Sequence, residues 1–167
     1  CTQNPDLFRV KAPWQTWKNC IPVDDVEISP ELLTNYILEM GQKYIIKKIA
    51  IDNFRYALMK DALEKIGFDQ KERRNLYLVR PSDIMKIVPV IDSCFNKQLF
   101  VWGDNPALRW ATNNTKKLRS GKKQGTDIGN FYYAKIEAKS RKTDPFMALV
   151  ASMVIEEELS SVQSTFD

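Results

Sequence analysis

The hydrophobic pattern predicts an α/β domain of layered architecture with parallel strand pairings. Apolar runs of strand length alternate along the chain with stretches whose apolar residues recur at helical spacing, the pattern of strand–helix–strand units. Of 167 residues, 44% are hydrophobic and 28% charged, enough for a real core and too apolar for general disorder. No internal repeat is present.

Residues 1–29 carry Pro5, Pro13 and Pro22 and little periodicity, and read as an extended arm or the remnant of preceding strands. Phe8-Arg9-Val10-Lys11 alternates and predicts a strand, while Trp14 and Trp17 are expected to anchor the arm. Ser29 is a good N-cap, Pro30 suits the first helical position, and Glu31 favours the positive end of the helix. Leu32, Leu33, Tyr36, Ile37 and Met40 then make one helical face. Residues 44–51 read as a buried strand, 54–66 as a helix stopped by Gly67, and 76–79 as a short strand. Ser82 is placed to cap a helix running through Ile84, Ile87, Val88, Ile91 and Phe95, kinked at Pro89. Residues 99–102 predict another short strand or extended edge, 106–113 a helix, 116–130 a basic loop, 131–138 a strand and 145–159 a final helix. The body is therefore expected over 30–159, followed by a polar, frayed tail at 160–167.

Composition excludes several chemistries. The chain has no histidine, which removes Ser-His-Asp and Cys-His catalysis, histidine general bases and His-bearing zinc sites. Cys1, Cys20 and Cys94 are odd in number without CxxC spacing, and read as reduced thiols of an intracellular protein. No apolar run approaches membrane-spanning length, no signal peptide is visible, and no GxxxxGK[ST] loop offers a P-loop nucleotide site. A first residue other than methionine predicts a piece of a longer protein. The net charge of +4 is mild, but its distribution is not even. Lys116, Lys117, Arg119, Lys122 and Lys123 crowd one segment, and Lys135, Lys139, Arg141 and Lys142 follow. Such a segment is either a solvated surface or a contact to a polyanion backbone.

Two aspartates are the candidate metal ligands. Asp52 ends the apolar run at a predicted strand end, and Asp144 opens a predicted helix after the basic stretch Lys139-Ser140-Arg141-Lys142-Thr143. Hard Mg²⁺ or Mn²⁺ prefers oxygen ligands, and Mg²⁺ often takes only one or two protein carboxylates. In open α/β sheets, ligands gather at the carboxyl ends of strands. Both aspartates equally suit helix capping, Asp52 for a helix starting at Asn53 and Asp144 with Thr143 ahead of Pro145. The two roles are compatible, because a capping carboxylate keeps a second oxygen. Trp102, Trp110, Tyr132 and Tyr133 read as core or ledge residues, and Asp24, Asp25 and Glu27 as a surface turn.

Several segments together resemble the nuclease domain of tailed-phage terminase large subunits. Ile49-Ala50-Ile51-Asp52, with its following helix, is similar to that family's second acidic strand. Gly103-Asp104-Asn105-Pro106-Ala107-Leu108-Arg109-Trp110-Ala111-Thr112-Asn113-Asn114 is similar to its asparagine-proline…tryptophan…asparagine segment. Lys142-Thr143-Asp144 resembles its lysine-x-aspartate helix start, and Trp17 the tryptophan ahead of the acidic strand. The resemblance implies a ribonuclease H-like mixed sheet flanked by helices. It implies a metal-dependent DNA endonuclease that cuts concatemeric viral DNA during packaging, in the cytoplasm of a bacterial host. Two Mg²⁺ or Mn²⁺ ions would serve the complete site. Asp52 and Asp144 would be ligands, Lys142 would steady a phosphate or orient Asp144, and residues Lys116, Lys117, Arg119, Lys122 and Lys123 would meet the DNA backbone. Double-stranded DNA, the small terminase subunit and the portal protein are the implied partners, with no membrane. The family's first acid lies on an initial strand within a β-meander. Residues 1–14 are too short for that meander, and Asp6 is not in a strand-like setting, so the first strands are expected to be missing and activity weak or absent. The upstream ATPase half is also absent from this chain. Other readings are a resolvase- or transposase-type ribonuclease H-like nuclease, and a non-catalytic basic DNA-binding module.

Overall fold

Ser29 starts the first helix as its sequence dictates. In the computed structural model, which describes residues 1–18, 20–120 and 130–157, its side chain accepts the Leu32 amide at 3.2 Å. The helix, α1 (Pro30–Gly41), follows with Pro30 and Glu31 in its first turn. The described residues form a mixed α/β structure that divides into two compact units. One unit joins Cys1–Val26 to Pro81–Val150, and the other joins Glu27–Arg80 to Ala151–Asp167.

The second of these units holds a β–α–β crossover. Strand β1 (Ile49–Asp52) leads directly into α2 (Asn53–Lys65), and β2 (Leu76–Val79) pairs with β1 in parallel, Ile49 opposite Leu76 and Asp52 opposite Val79. Helix α2 stops where Gly67 adopts φ +89°, a left-handed conformation that costs glycine little. The Phe68 amide then reaches back to Leu63 O at 2.9 Å and the Gly67 amide to Glu64 O at 3.0 Å, closing the orphan carbonyls. Met59, Leu63, Phe68 and Leu76 form the buried cluster, with Ile37, Ile49, Ile51 and Tyr56 packed around it. Asn75 ties the return loop, donating to Gly67 O at 2.9 Å and accepting the Asp69 amide at 2.9 Å.

The expected strand over 44–51 is shorter in the structure. Only Ile49–Asp52 is extended in a ladder, because β2 offers four residues to pair with, and Ile45 is left 83% exposed.

In the other unit the arm doubles back on itself, Thr2 N donating to Val23 O at 2.8 Å and Gln3 N to Asp25 O at 3.1 Å. The strand expected at 8–11 is instead a 3₁₀ turn, Leu7–Arg9. Asn4 causes this: its side chain accepts the Asp6 amide, and its carbonyl accepts the Leu7 amide, winding the chain. Trp17 does anchor the arm, its ring 5.8 Å from that of Trp110. Helix α3 (Pro81–Asn96) begins at Pro81, so Ser82 lies inside its first turn, with exposed Pro89 in its length and buried Val88 and Ile91 on its inner face.

The strand expected at 99–102 is absent. Helix α3 ends with Gln98 at φ 56°, and Leu99 N bonds Cys94 O at 2.9 Å, which turns the chain sharply. Phe100 and Trp102 instead stack near Phe95, with centroids at 5.0 and 5.8 Å. Helix α4 (Pro106–Asn113) matches its expected bounds, with Asn105 capping the Leu108 amide at 3.1 Å.

The largest correction is at the basic segment. Residues 116–119 are no loop: β3 (Thr115–Arg119) pairs antiparallel with β4 (Phe131–Lys135). The charges misled because lysines suit the exposed edge of a ladder as well as a loop. Strand β4 is also shorter than the expected 131–138, and α5 (Asp144–Val154) starts one residue before the expected 145, while the expected end at 159 lies outside the described residues. The expected frayed tail at 160–167 lies outside the described residues. Where a single mixed sheet was expected, the described residues hold one parallel and one antiparallel pair.

Leu63 is 1% exposed at the centre of the α2 cluster. Leu63→Ala is therefore expected to cost about 2–5 kcal/mol, measured by urea unfolding followed by circular dichroism.

Candidate functional site

Asp52 and Asp144 lie in different units, and each is described in its own setting. Asp52 closes β1 at its carboxyl end, and its Oδ1 accepts the Phe54 amide at 2.8 Å. The capping reading is thus correct for Asp52, and Oδ2 is left over in an exposed side chain. Exposed carboxylate oxygen at the end of a parallel strand is the right donor for a hard cation.

Asp144 occupies the first turn of α5, where the helix dipole favours negative charge. Thr143 is 6% exposed and Phe146 2%, while Lys142, Asp144 and Pro145 face water. Burial of the flanking residues therefore turns Lys142 and Asp144 outward from one short turn. Among the described residues, no hydrogen bond or ion pair engages the Asp144 carboxylate.

That turn is held from two sides. The Lys11 amide of the arm donates to Ser140 O at 3.0 Å, and the Asn114 side-chain amide donates to Lys142 O at 3.4 Å. Glu137 is tied to Ser140 by a side-chain hydrogen bond and pairs with Arg141 at 3.6 Å. The hydroxyl of Ser140, with the Arg141 charge behind it, holds the Glu137 carboxyl below its ordinary range. Asn114 is 0% exposed and stands immediately before β3, so the basic strand and the Lys142–Asp144 turn share one buried junction.

The basic residues do not share one role. Lys116, Lys117 and Arg119 all have exposed side chains on β3, Lys117 and Arg119 on one face of the strand and Lys116 on the other. Lys117 is paired with Asp92 at 2.5 Å and lies over the Phe131 ring at 5.4 Å, so its charge is already engaged. Lys116 is across the strand from it, opposite Ala134. Lys122 and Lys123 lie outside the described residues.

An apolar cavity of about 260 Å³ opens beside the turn, lined by Trp14, Trp17, Trp110, Cys20, Lys142 and Pro145. Burial pushes the Cys20 thiol up, which keeps it protonated and unreactive. All three cysteines are free.

Asp52 and Asp144, each in its own unit, offer carboxylate oxygen of the hardness that Mg²⁺ or Mn²⁺ prefers. Among the described residues, no three of His, Cys, Asp and Glu gather as a metal-holding group. No described helix is long and apolar enough to cross a membrane.

Sequence reading missed the burial of Asn114, whose only signal was an asparagine pair following a helix. It also missed Asp92 as the partner of Lys117, since nothing in the spacing joins them.

Tyr133 gives a pH test of this region. Its ring stands edge-on to Phe146 at 5.0 Å, and its hydroxyl is buried without a partner among the described residues. Burial, then the Asp92 charge, push its phenol well above the ordinary value of about 10. The folded state therefore holds a proton that the unfolded state loses, and stability falls as pH rises above about 10. An absorbance titration at 295 nm is expected to show a late phenol that Tyr133→Phe removes and that Asp92→Asn shifts down but leaves above the ordinary value.

Comparison with protein-family models, with curated proteins and with solved structures found no match to this chain.

Proposed function

We propose that the chain is a portion of a terminase-type nuclease domain that hydrolyses phosphodiester bonds of double-stranded DNA with Mg²⁺ or Mn²⁺. The observation that carries this reading is the outward presentation of Lys142 and Asp144 from the first turn of α5, in the same unit as the basic strand β3. The resemblance of the three motif segments supports it further. The finer fold assignment, ribonuclease H-like, belongs to the same proposal, as do the small subunit and portal as partners and the host cytoplasm as location.

In this reading Asp52 and Asp144 are each a carboxylate donor for Mg²⁺ or Mn²⁺. The bound metal would activate water and stabilise the leaving oxygen, so the absence of histidine is no obstacle. Lys142 attracts the phosphate toward Asp144, and Lys116 and Arg119 meet the DNA backbone without reading sequence. With two carboxylates rather than three, metal is held loosely and cleavage is slow.

A second reading is favoured by the structural duty of Asp52, whose Oδ1 caps α2. It makes the chain a basic DNA-binding module without catalysis.

Nicking of supercoiled plasmid in Mn²⁺ separates the two. Asp144→Asn and Asp52→Asn are each expected to reduce nicking at least about 100-fold while leaving the circular dichroism spectrum unchanged, because asparagine caps α2 nearly as well as Asp52 does, and Asp144 is exposed. Nicking equal to wild type in both variants, or none in the wild type at any metal concentration, leaves the binding module standing.

Neutralising Lys116 and Arg119 together is expected to weaken DNA binding alike for all sequences. It should flatten the slope of log affinity against log salt by roughly two phosphate contacts. An unaltered slope means that β3 does not touch DNA.

A further inference from the structure

We propose that the apolar cavity between the arm and α4 binds a small aromatic carboxylate, its ring among the indoles of Trp14, Trp17 and Trp110 and its charge against Lys142. Such a site needs neither metal nor DNA, and it stands apart from the nuclease reading.

The walls come from three segments of one unit. The arm gives Trp14 and Trp17, α4 gives Ala107 and Trp110, and the segment entering α5 gives Lys142 and Pro145. Two contacts hold the arm in place: the Lys11 amide donates to Ser140 O at 3.0 Å, and the rings of Trp17 and Trp110 meet at 5.8 Å. Alanine at 12 and 107 leaves room between them. At about 260 Å³ the cavity is below the range of drug-sized sites, which limits its ligand to a small ring system.

The indoles select for an aromatic body. Of the four tryptophans in the chain, three line this cavity, each half-buried with surface still to cover. The rings of Trp17 and Trp110 are inclined by 60°. A flat ring stacked on the face of one therefore meets the edge of the other, and both geometries are favoured between aromatic groups.

The charge comes from one residue. Lys142 is the only charged side chain lining the cavity, and no acid lines it. Its side chain is exposed, so the stem can lie along the apolar wall while the ammonium stays in water at the mouth. Among the described residues, no hydrogen bond or ion pair engages that ammonium. Cys20 adds no negative charge, since burial keeps its thiol protonated. A cation would be repelled by Lys142, and a sugar would turn hydroxyl groups toward indole faces that cannot satisfy them. An apolar ring with one negative group meets both conditions. Apolar walls with a few placed polar groups are the usual make-up of a small-molecule site. The cavity of about 440 Å³ in the other unit lacks this selectivity, because Lys60, Lys71 and Arg73 line it together with Glu64, Asp69 and Glu72.

The test is a titration of the whole chain with naphthoate, and with naphthylmethanol as its uncharged counterpart, followed by heteronuclear NMR of the indole N–H groups. Naphthoate is expected to bind saturably and to move the signals of Trp14, Trp17 and Trp110. The signal of Trp102, packed on Phe95 instead, is expected to stay in place. Naphthoate is expected to bind about fivefold more tightly than the alcohol, a preference that Lys142→Gln removes. Ala107→Leu, which fills the cavity, is expected to weaken both ligands at least about tenfold. Ala12→Leu, on the opposite wall, replaces it if that variant does not fold. No saturable movement of the three indole signals overturns the site. Equal affinity for acid and alcohol, or a preference that survives Lys142→Gln, overturns the carboxylate assignment. A short oligothymidylate that moves the same signals where naphthoate does not assigns the cavity to unpaired bases, and overturns the proposal as well.

Discussion

A two-stranded ladder is marginal in water, and among the described residues each unit holds only one. Order must then come from elsewhere, and here it comes from helix ends. Gly67 and Gln98 each turn the chain through a left-handed residue and return amides to the last helical carbonyls. Ser29, Asp52 and Asn105 cap helix starts with side-chain oxygens. Asn75 and Asn114 cross-link what the ladders leave loose. Short polar side chains do in this chain what longer sheets do elsewhere.

The candidate chemistry is placed by the same devices. Asp52 and Asp144 stand at the beginnings of helices because unpaired amides and the helix dipole favour a carboxylate there. A cap consumes one oxygen and leaves the other available, so structural and chemical duty fall on one side chain without conflict. The strand β3 shows a sharper division. Its lysines and arginine fall on both faces, and the charge of Lys117 is spent on Asp92 and the Phe131 ring while Lys116 points elsewhere on the ladder. Five clustered cations in a sequence are not five equal contacts.

Elements with strong local signals were legible in advance. The cap and proline at Ser29-Pro30, the stop at Gly67 and the whole of 106–113 are local matters, decided by residues within a few positions. Asp52 as strand end and cap was legible for the same reason. What failed was decided at a distance. Strand β3 exists because β4 pairs with it, and composition alone reads its lysines as a loop. The strands expected at 8–11 and 99–102 carry suitable side chains but are claimed first by the turn at Asn4 and by the Gln98 termination. Asn114 was visible as a letter, but its burial depends on Ile136 and Lys142, and no local rule joins these positions.

The division of the chain has a consequence for the order of folding. The α2 cluster draws on residues close together in sequence, from Ile37 to Leu76, and its crossover needs no other segment to close. The other unit is split: Trp17 waits for Trp110, and Lys11 waits for Ser140. Its arm is made before residues 110 and 140, and acquires these partners only after the intervening unit has been synthesised. Loop closure over such spans is slow, whereas local contacts form early. The arm, with its three proline residues and exposed Phe8 and Ile21, therefore waits without its partners while the whole α2 unit is made, an interval in which apolar side chains are open to aggregation.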